Sequence, residues 1–537
     1  MKGRHGVRIV ILVMLFAALA WQLAHRPGTR GPAHNAAAGA ARDPLLAVSS
    51  VAPDVLQLGR LRLEPCNIGK HATGVPTLRA YCASFPVPEN WEAPGGRQIQ
   101  LRLAVARSAA ASADPDPVVF LDGGPGGAAS DDFPGIAPAF DALRRRHNVL
   151  LIDQRGTGGS NPLACDSDED GAASASDERT DNRADEHADK AVQRARALTD
   201  LRACLARLAA RAAPQFYTTS AAVRDLEAVR EALGAPQLNL LGISYGTRMA
   251  QQFARRYPEH VRTVVLDSPV PNDLALGSEH ARNLDAVLRE LALRCRSEQR
   301  CRQQFDDPYT LMQQVQARLR VHPVSLELRD PYTFKSQQRQ IGADGLAQLI
   351  RFYAYNPLTA ALIPYVLKEA DAGRYAPLLG QTQLVVGEIG DSMDNGMALS
   401  VICSEDADLL RVRPEDAGTV LGNAITESLL AACTVWPHGT RPVGFREPLR
   451  GALPVLILAG SHDPVTPVRY AEAIASHLSR AKLLVLAGQG HGLVGTGCVP
   501  RLLEQFVQAA DPKAVDAQCL QALGETPLFV DANGAAP

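Results

Sequence analysis

Three residues have the types, local sequence and order along the chain that nucleophilic catalysis by a serine requires. Ser244 is the central residue of G-I-S-Y-G (242–246), a G-x-S-x-G pattern that follows an apolar run and precedes a helical segment. A hydroxyl is a weak nucleophile at neutral pH, so a base must accept its proton. His491 is the candidate base, and Asp463 is the candidate acid that orients it.

Other interpretations of these residues are weaker. His462 lies beside Asp463, but it precedes the acid and shares its loop, so we reject it as the base. Asp463 stands before P-V-T-P and could simply cap a turn. The three candidates in the order serine, acid, histidine favour catalysis over separate structural roles.

The oxyanion that forms during acyl transfer needs at least two N–H donors. One is expected from Tyr245, the residue after the nucleophile. The other is expected from Gly124 in the loop D-G-G-P-G-G (122–127), where glycines allow a close approach of the backbone. This loop lacks the Lys and Ser/Thr that end a phosphate-binding loop, so a phosphate site is disfavoured.

These residues follow short, nearly continuous apolar runs, which are typical of strands buried on both faces of a parallel sheet. The runs are Val118–Leu121, Val149–Ile152, Leu238–Leu241, Val264–Leu266, Val455–Leu458 and Leu483–Leu486. Helical patterns between several of them indicate an α/β architecture. The sequence therefore predicts an α/β-hydrolase fold: a mostly parallel central sheet flanked by helices, with an inserted, mainly helical cap.

The predicted organisation has five parts. They are an export signal or signal anchor (1–24), a flexible linker (25–60), the first part of the core (61–270) with an acidic loop (166–189), a cap (271–450), and the second part of the core (451–537). The first part has basic residues before an apolar run, Ile9–Ala20, that is short for a membrane-spanning helix. Cleavage of the signal and retention as an anchor both remain open.

Charge and cysteine content point to the compartment and the partners. The formal net charge is −2, which argues against a nucleic-acid partner and gives no indication of a membrane partner apart from a possible N-terminal anchor. An even number of cysteines, ten, in an exported chain predicts disulfides. We expect sequence neighbours to pair, including Cys295 with Cys301 and Cys403 with Cys433, with a further bridge between Cys165 and Cys204. The predicted location is the periplasm or the extracellular space.

Several motifs together resemble one family. They are G-G-P-G (123–126), D-Q-R-G-T-G-G-S (153–160), the serine turn at 242–246, and the segments around Asp463 and His491. Their combination is similar to the proline iminopeptidase and tripeptidyl aminopeptidase family of serine exopeptidases, and most similar to its secreted tripeptidyl aminopeptidase branch. The resemblance covers roughly residues 65–519.

This resemblance implies cleavage at a free peptide N-terminus, with cap carboxylates that bind the substrate ammonium. By position, Glu405 is the candidate for that role, with Asp406 behind it; a carboxylate beside a disulfide could equally be solvated or cap a helix. Iminopeptidases of this family typically have His before G-G-P-G, where this chain has Asp122, so a strict preference for proline is in doubt.

The predicted activity is that of an exported aminopeptidase acting through an acyl-enzyme, on peptide substrates with a free N-terminus. No cofactor and no metal are implied, and the oligomeric state is unknown. The alternative is a carboxylesterase or lipase-like enzyme with the same triad. A binding protein on this fold is a further alternative, against which the complete triad order argues. An epoxide hydrolase or a dehalogenase is disfavoured because the turn carries Ser and not Asp.

Overall fold

The apolar runs of the sequence form strands in the computed structural model, which describes residues 55–69, 77–164, 190–329, 335–382 and 395–535. The strands are β1 (Leu56–Leu58), β2 (Leu61–Ile68), β3 (Leu78–Pro88), β4 (Gln98–Ala106), β5 (Val118–Leu121), β6 (Val149–Ile152), β7 (Leu238–Ile243), β8 (Val261–Asp267), β9 (Val324–Arg329), β10 (Ser336–Ile341), β11 (Val455–Gly460), β12 (Ala481–Leu486), β13 (Phe529–Asp531) and β14 (Gly534–Ala535).

Within the described residues, ten strands form the central sheet in the order β1-β2-β3-β4-β6-β5-β7-β8-β11-β12. From β6 to β12 every neighbouring pair is parallel. The first four strands and β6 pair antiparallel, which lengthens the sheet at one side. β9 pairs with β10, and β13 pairs with β14, outside this sheet. The prediction of a mostly parallel sheet is confirmed.

Helices connect and cover these strands. They are α1 (Ala129–Ile136), α2 (Lys190–Leu208), α3 (Thr219–Leu233), α4 (Tyr245–Arg256), α5 (His280–Ser297), α6 (Gln299–Phe305), α7 (Pro308–Val321), α8 (Ala343–Tyr353), α9 (Pro357–Ala360), α10 (Ile363–Asp371), α11 (Asn395–Glu405), α12 (Ala424–Cys433), α13 (Val468–Ala475) and α14 (Val499–Ala509). Short 3₁₀ helices lie at Ala137–Phe140, Leu143–Arg145, Pro214–Phe216, Pro258–His260, Ala407–Leu409, Pro414–Gly418, Pro512–Ala514 and Gln518–Ala522.

One face of the sheet is buried under α1 and α14. Phe120 of β5 packs against Phe140, with ring centroids 5.8 Å apart, and Phe140 packs edge-on against Phe133 at 4.9 Å. From α14, Leu502 and Phe506 join the same buried cluster. Burial of one such side chain contributes about 1.5–3 kcal/mol, so this packing holds β5, and the loop that follows it, firmly in place.

The chain between β8 and β11 forms α5 to α12 and the β9–β10 hairpin. This segment has a hydrophobic core of its own, which includes Leu288 of α5, Val315 of α7 and Ile350 of α8. An inserted, mainly helical cap is therefore present in this fold. The hairpin within it is a feature that the sequence analysis did not predict.

Some predictions fall outside the described residues. These are the export signal or anchor (1–24), most of the linker (25–60), the acidic loop (166–189), and Cys165 of the Cys165–Cys204 pair. The end of the linker prediction is wrong, because Leu56–Leu58 form β1 and pair with β2. In the part of the chain that the structure describes, no helix has the length and apolar character needed to cross a membrane.

Four disulfides are present in the described residues. Cys295–Cys301 and Cys403–Cys433 confirm the two pairs named from the sequence. Cys66–Cys82 and Cys498–Cys519 also join sequence neighbours. Each links two adjoining segments: β2 to β3, α5 to α6, α11 to α12, and the start of α14 to the C-terminal region.

Candidate active site

Ser244 lies at the sharp turn between β7 and α4. Its backbone angles are φ 54° and ψ −123°, in a region that residues with a side chain rarely adopt. The Ser244 N–H donates to the carbonyl of Asp267 at 2.9 Å, which attaches the turn to the end of the neighbouring strand β8. The hydroxyl is therefore positioned at the carboxyl end of the sheet, directly before the N-terminus of a helix.

Two glycines make this turn possible, because α4 begins in close contact with neighbouring backbone. A Cβ atom at Gly246 would lie 2.0 Å from the carbonyl oxygen of Leu121, and one at Gly242 would lie 2.4 Å from the oxygen of Gly246. Both separations are too short for non-bonded atoms in a close-packed interior. The G-x-S-x-G pattern is thus a packing requirement of this turn as well as a chemical motif.

Asp463 and His491 meet after strands β11 and β12. The Nδ1 of His491 donates to Oδ2 of Asp463 at 2.8 Å. The other carboxylate oxygen accepts the N–H groups of Val465 and Thr466, each at 2.8 Å. The Thr466 hydroxyl donates to Oδ2 at 2.8 Å. The buried carboxylate therefore has a full set of donors and fixes the tautomer of the histidine.

Opposite charges set the pKa values of this pair. Burial alone would raise the pKa of Asp463, but the attraction of His491 and the surrounding N–H donors lower it below its usual range. Burial would lower the pKa of His491, but Asp463, and secondarily the nearby Asp267, raise it above its ordinary value. The pair is therefore built to stabilise the imidazolium that forms when His491 accepts a proton.

The base is also held from the cap. The backbone carbonyl of Tyr355, between α8 and α9, accepts the backbone N–H of His491 at 2.8 Å. The Tyr355 ring packs edge-on against the imidazole, with ring centroids 5.1 Å apart. Among the described residues, no hydrogen bond joins the Ser244 hydroxyl to the His491 ring. In free enzymes, catalytic hydrogen bonds of this kind are often long and become short in the substrate complex.

The candidate oxyanion donors flank the nucleophile. A Cβ atom at Gly123 would lie 3.2 Å from Cβ of Ser244, so the glycine loop after β5 runs directly against the serine. The Gly123 N–H donates to the carboxylate of Asp122 at 2.7 Å. Gly124 follows with φ 105°, a conformation that favours glycine. Tyr245 is the first residue of α4, where backbone N–H groups lack intrahelical acceptors.

The two candidate substrate carboxylates are buried at the end of α11, in contact with Arg248 of α4. Glu405 is 1 % exposed and accepts the N–H and the hydroxyl of Thr219 at 2.6 and 2.8 Å. That hydroxyl also contacts the Tyr245 phenol at 2.8 Å. Arg248 of α4 lies 2.8 Å from the Asp406 carboxylate and 3.8 Å from that of Glu405. Burial raises the pKa of Glu405 to about 7.

Arg155 of the D-Q-R-G loop is fully buried, and its hydrogen bonds go to one carboxylate and to backbone carbonyls. Its Nε and Nη2 atoms both donate to the Asp225 carboxylate at 2.6 Å, and its Nη1 donates to the carbonyls of Glu89 and Phe216. A buried, bidentate ion pair of this kind ties loops together. This geometry favours the structural role for Arg155 and Asp225.

The sequence analysis missed three residues that surround the base: Asp267, Thr466 and Tyr355. Two had a local signal. Asp267 is a charged residue at the end of an apolar run, and Thr466 lies three residues after the candidate acid. Tyr355 had none, because it contacts His491 only through the folding of the cap.

The strand order, the turn at Ser244 and the Asp463–His491 pair define a serine hydrolase. The chain belongs to the α/β-hydrolase fold family, whose model matches residues 116–497. That range contains all three candidate catalytic residues.

The chain is also similar to individual peptidases. It is 26% identical to the tripeptidyl aminopeptidase of Streptomyces coelicolor over 468 residues, which cover 82% of each chain. It is 23% identical to the serine protease Hip1 of Mycobacterium tuberculosis over 482 residues, 85% of this chain and 90% of that protein. A segment of 157 residues, 29% of this chain and 34% of the other, is 29% identical to the proline iminopeptidase of Neisseria gonorrhoeae. The resemblance predicted from the motifs is confirmed.

Proposed function

We propose that this serine hydrolase is an exported aminopeptidase that releases residues or short peptides from a free N-terminus. Ser244 attacks the scissile carbonyl carbon while His491 accepts the hydroxyl proton. The N–H groups of Gly124 and Tyr245 bind the oxyanion. His491 then donates the proton to the leaving amine, and water hydrolyses the acyl-enzyme with His491 again as base. Asp463 orients the imidazole throughout.

The observation that carries the aminopeptidase assignment is the buried carboxylate pair beside the nucleophile turn. Glu405 and Asp406 share one guanidinium, that of Arg248, and Asp406 is its closer partner. A substrate ammonium would supply the second cation for this pair. Burial disfavours the ionised form of Glu405 and raises its pKa to about 7, and a substrate ammonium beside it would stabilise that ionised form.

The position of Glu405 relative to the reaction supports this role. Its Oε2 connects through the Thr219 hydroxyl to the phenol of Tyr245, the residue next to the nucleophile. The names of the Streptomyces and Neisseria relatives also support peptide N-termini as substrates. Export is supported by the four disulfides of the described residues, since disulfides persist in oxidising compartments.

The test of the reaction class is hydrolysis of matched peptide amides with free and acetylated N-termini, beside a simple ester. The expected result is cleavage of the free-amine peptides but not of the acetylated ones, with hydrolysis of the ester as a measure of the triad alone. Equal cleavage of the acetylated peptides, or cleavage of the ester alone, would remove the aminopeptidase proposal and leave the carboxylesterase alternative.

The test of the recognition group is Glu405→Gln, which keeps the side-chain size and removes the charge. We expect KM for free-amine peptides to rise about 10- to 100-fold, because a charge-assisted contact to the ammonium is lost, with little change for an ester. Steady-state kinetics on both substrates provides the measurement.

Asp408→Asn is the matched control for Glu405→Gln. Asp408 is a half-exposed carboxylate three residues further on, where it pairs with Arg441 and Arg446. The control removes the same charge from a half-exposed position, while Arg441 and Arg446 keep their own hydrogen bonds to the backbone carbonyl of Glu405, so its KM should stay within about twofold of the wild-type value. An equal rise of KM in both variants, or a Glu405→Gln effect of the same size on the ester, would contradict the role of Glu405.

A further inference from the structure

Asp267 is a buried carboxylate beside the candidate triad that the mechanism above does not use. It is the last residue of β8 and is 0% exposed. β8 pairs with β7, which leads to the nucleophile, and with β11, which leads to the acid. A charged group buried at this point needs hydrogen-bond partners, because burial of a charge without them is strongly unfavourable.

Its partners are the backbone of the loop that carries the base. Oδ2 of Asp267 accepts the N–H groups of Leu493 and Val494 at 2.6 and 2.8 Å. The hydroxyl of Ser268 accepts the Gly492 N–H at 2.9 Å and donates to Oδ1 of Asp267 at 3.0 Å. Three consecutive N–H groups that follow the candidate base are therefore bound to one dipeptide.

The same dipeptide is bound to the nucleophile and acid strands. The carbonyl oxygen of Asp267 accepts the Ser244 N–H at 2.9 Å, and the Ser268 N–H donates to the carbonyl of Leu458 in β11 at 2.9 Å. Residues 267–268 thus contact the turn that presents the hydroxyl, the strand that precedes the acid, and the loop that presents the imidazole.

We propose that Asp267 is a positioning residue: together with Ser268, its carboxylate holds the His491 loop in register with the Ser244 turn. Catalysis is sensitive to small displacements of the base from the nucleophile, so loss of these contacts lowers kcat more than it changes substrate binding. This inference rests on the proposed roles of Ser244 and His491, but not on the preference for free N-termini.

The charge of Asp267 adds a second effect, which a purely structural residue would not have. The titratable groups around the His491 imidazole are Asp463, Asp267, the phenol of Tyr355, and His280, the first residue of α5. Burial lowers the pKa of His280 to about 3, with a further contribution from Arg351, so His280 is neutral near pH 7. Burial raises the pKa of Asp267 to about 6, so it carries negative charge near pH 7.

The sign of the pH effect follows from these charges. A negative Asp267 stabilises the imidazolium and helps to raise the pKa of His491. Removing that charge lowers the pKa of the base. Because the reaction needs neutral His491, activity should then persist to lower pH, and the acid limb of the kcat profile should move down.

The experiment compares Asp267→Asn and Ser268→Ala with the wild type, on p-nitrophenyl acetate, which has no titratable group. Asp267→Asn is expected to lower kcat about 10- to 100-fold with KM within about twofold, and to move the acid limb down by roughly 0.5 to 1 pH unit. Ser268→Ala removes the acceptor for the Gly492 N–H without a change of charge. It should lower kcat about three- to tenfold and leave the acid limb in place.

An unchanged kcat, or an unchanged acid limb, in a folded Asp267→Asn protein would overturn the inference. Should that variant fail to fold, Ser268→Ala decides alone, and a wild-type kcat overturns it. Ser244→Ala, measured beside them, separates a failure of the proposed catalytic roles from a failure of the role of Asp267 alone. Full activity of Ser244→Ala would remove the proposed catalytic roles themselves, whereas an inactive Ser244→Ala beside a normal Asp267→Asn removes only the role of Asp267.

Discussion

Ser244 and His491 are held in place by contacts of different range. Ser244 is fixed by its own turn, in which Gly242 and Gly246 allow a backbone conformation that the neighbouring residues could not otherwise reach. His491 has no such local restraint. Asp463 and Tyr355 hold its imidazole and its backbone from two separate parts of the chain. The candidate nucleophile is therefore positioned mainly by the residues next to it in sequence, and the candidate base by residues from distant parts of the chain.

The prediction at this scale concerns the candidate nucleophile. Ser244→Ala should lower kcat by about three to six orders of magnitude with substrate binding largely intact, because the hydroxyl is the only atom group removed. The measurement is single-turnover hydrolysis, together with covalent labelling by a fluorophosphonate. Turnover near the wild-type level, or undiminished labelling, would show that another residue is the nucleophile.

Sequence was informative about the residues whose signals are local. The pattern around Ser244 and the order of Asp463 and His491 could be recognised, and the structure brings Asp463 and His491 together. The contacts of Asp267 could not be predicted, because its partners Leu493 and Val494 lie 226 and 227 residues further along the chain. A hydrogen bond over that separation leaves no pattern in a single sequence.

At the scale of elements, the decisive contact is that between α4 and β5. The start of α4 approaches the end of β5 so closely that Gly246 has no room for a side chain. This approach brings the helix N-terminus, and with it the Tyr245 N–H, beside the glycine loop that follows β5. The proposed oxyanion donors, which come from two separate elements, can converge only because the backbones of those elements are in direct contact.

Gly246→Ala tests this contact. A methyl group there would overlap with the Leu121 carbonyl, a backbone atom that cannot rotate away, so we expect a loss of at least about 2 kcal/mol in the free energy of unfolding. Urea unfolding followed by circular dichroism provides the measurement. Gly135→Ala in α1 is the control, since no atom lies within 4 Å of a Cβ there, and it should be neutral or slightly stabilising. Equal stability of the two variants would refute the packing argument.

The elements that sequence predicted well are those buried on both faces. β5, β7, β8 and β11 read as continuous apolar runs, and the structure has strands there. β2 was missed because it is buried on one face only and contains Pro65, a residue that usually argues against a strand. Leu56–Leu58 was assigned to a linker because three residues are too few to show a period.

At the scale of the whole molecule, the described disulfides are distributed over both the core and the insertion between β8 and β11. Cys295–Cys301 and Cys403–Cys433 lie within the insertion, whereas Cys66–Cys82 and Cys498–Cys519 lie in the two parts of the core. Oxidising conditions, which keep these bonds formed, therefore stabilise both the insertion and the core. This distribution is consistent with the proposal that the chain folds after export.

The corresponding prediction concerns thiol oxidation and location. The full chain should be found outside the cytoplasm, and the eight cysteines of the four described disulfides should resist alkylation until they are reduced, because that compartment keeps them oxidised. Cell fractionation and mass mapping of unreduced peptides make the measurement, with a reduced sample as the control for thiol access. Recovery of the chain in the cytosol with alkylated cysteines would contradict export.

The insertion also separates the nucleophile from its base during translation. Ser244 leaves the ribosome before the insertion has been made, whereas Asp463 and His491 emerge only after it. A nascent or prematurely terminated chain therefore carries Ser244 without its proposed base. By the proposed mechanism such a chain is inactive, so the cell that synthesises this hydrolase is not exposed to its activity until the insertion and the two segments after it have been made.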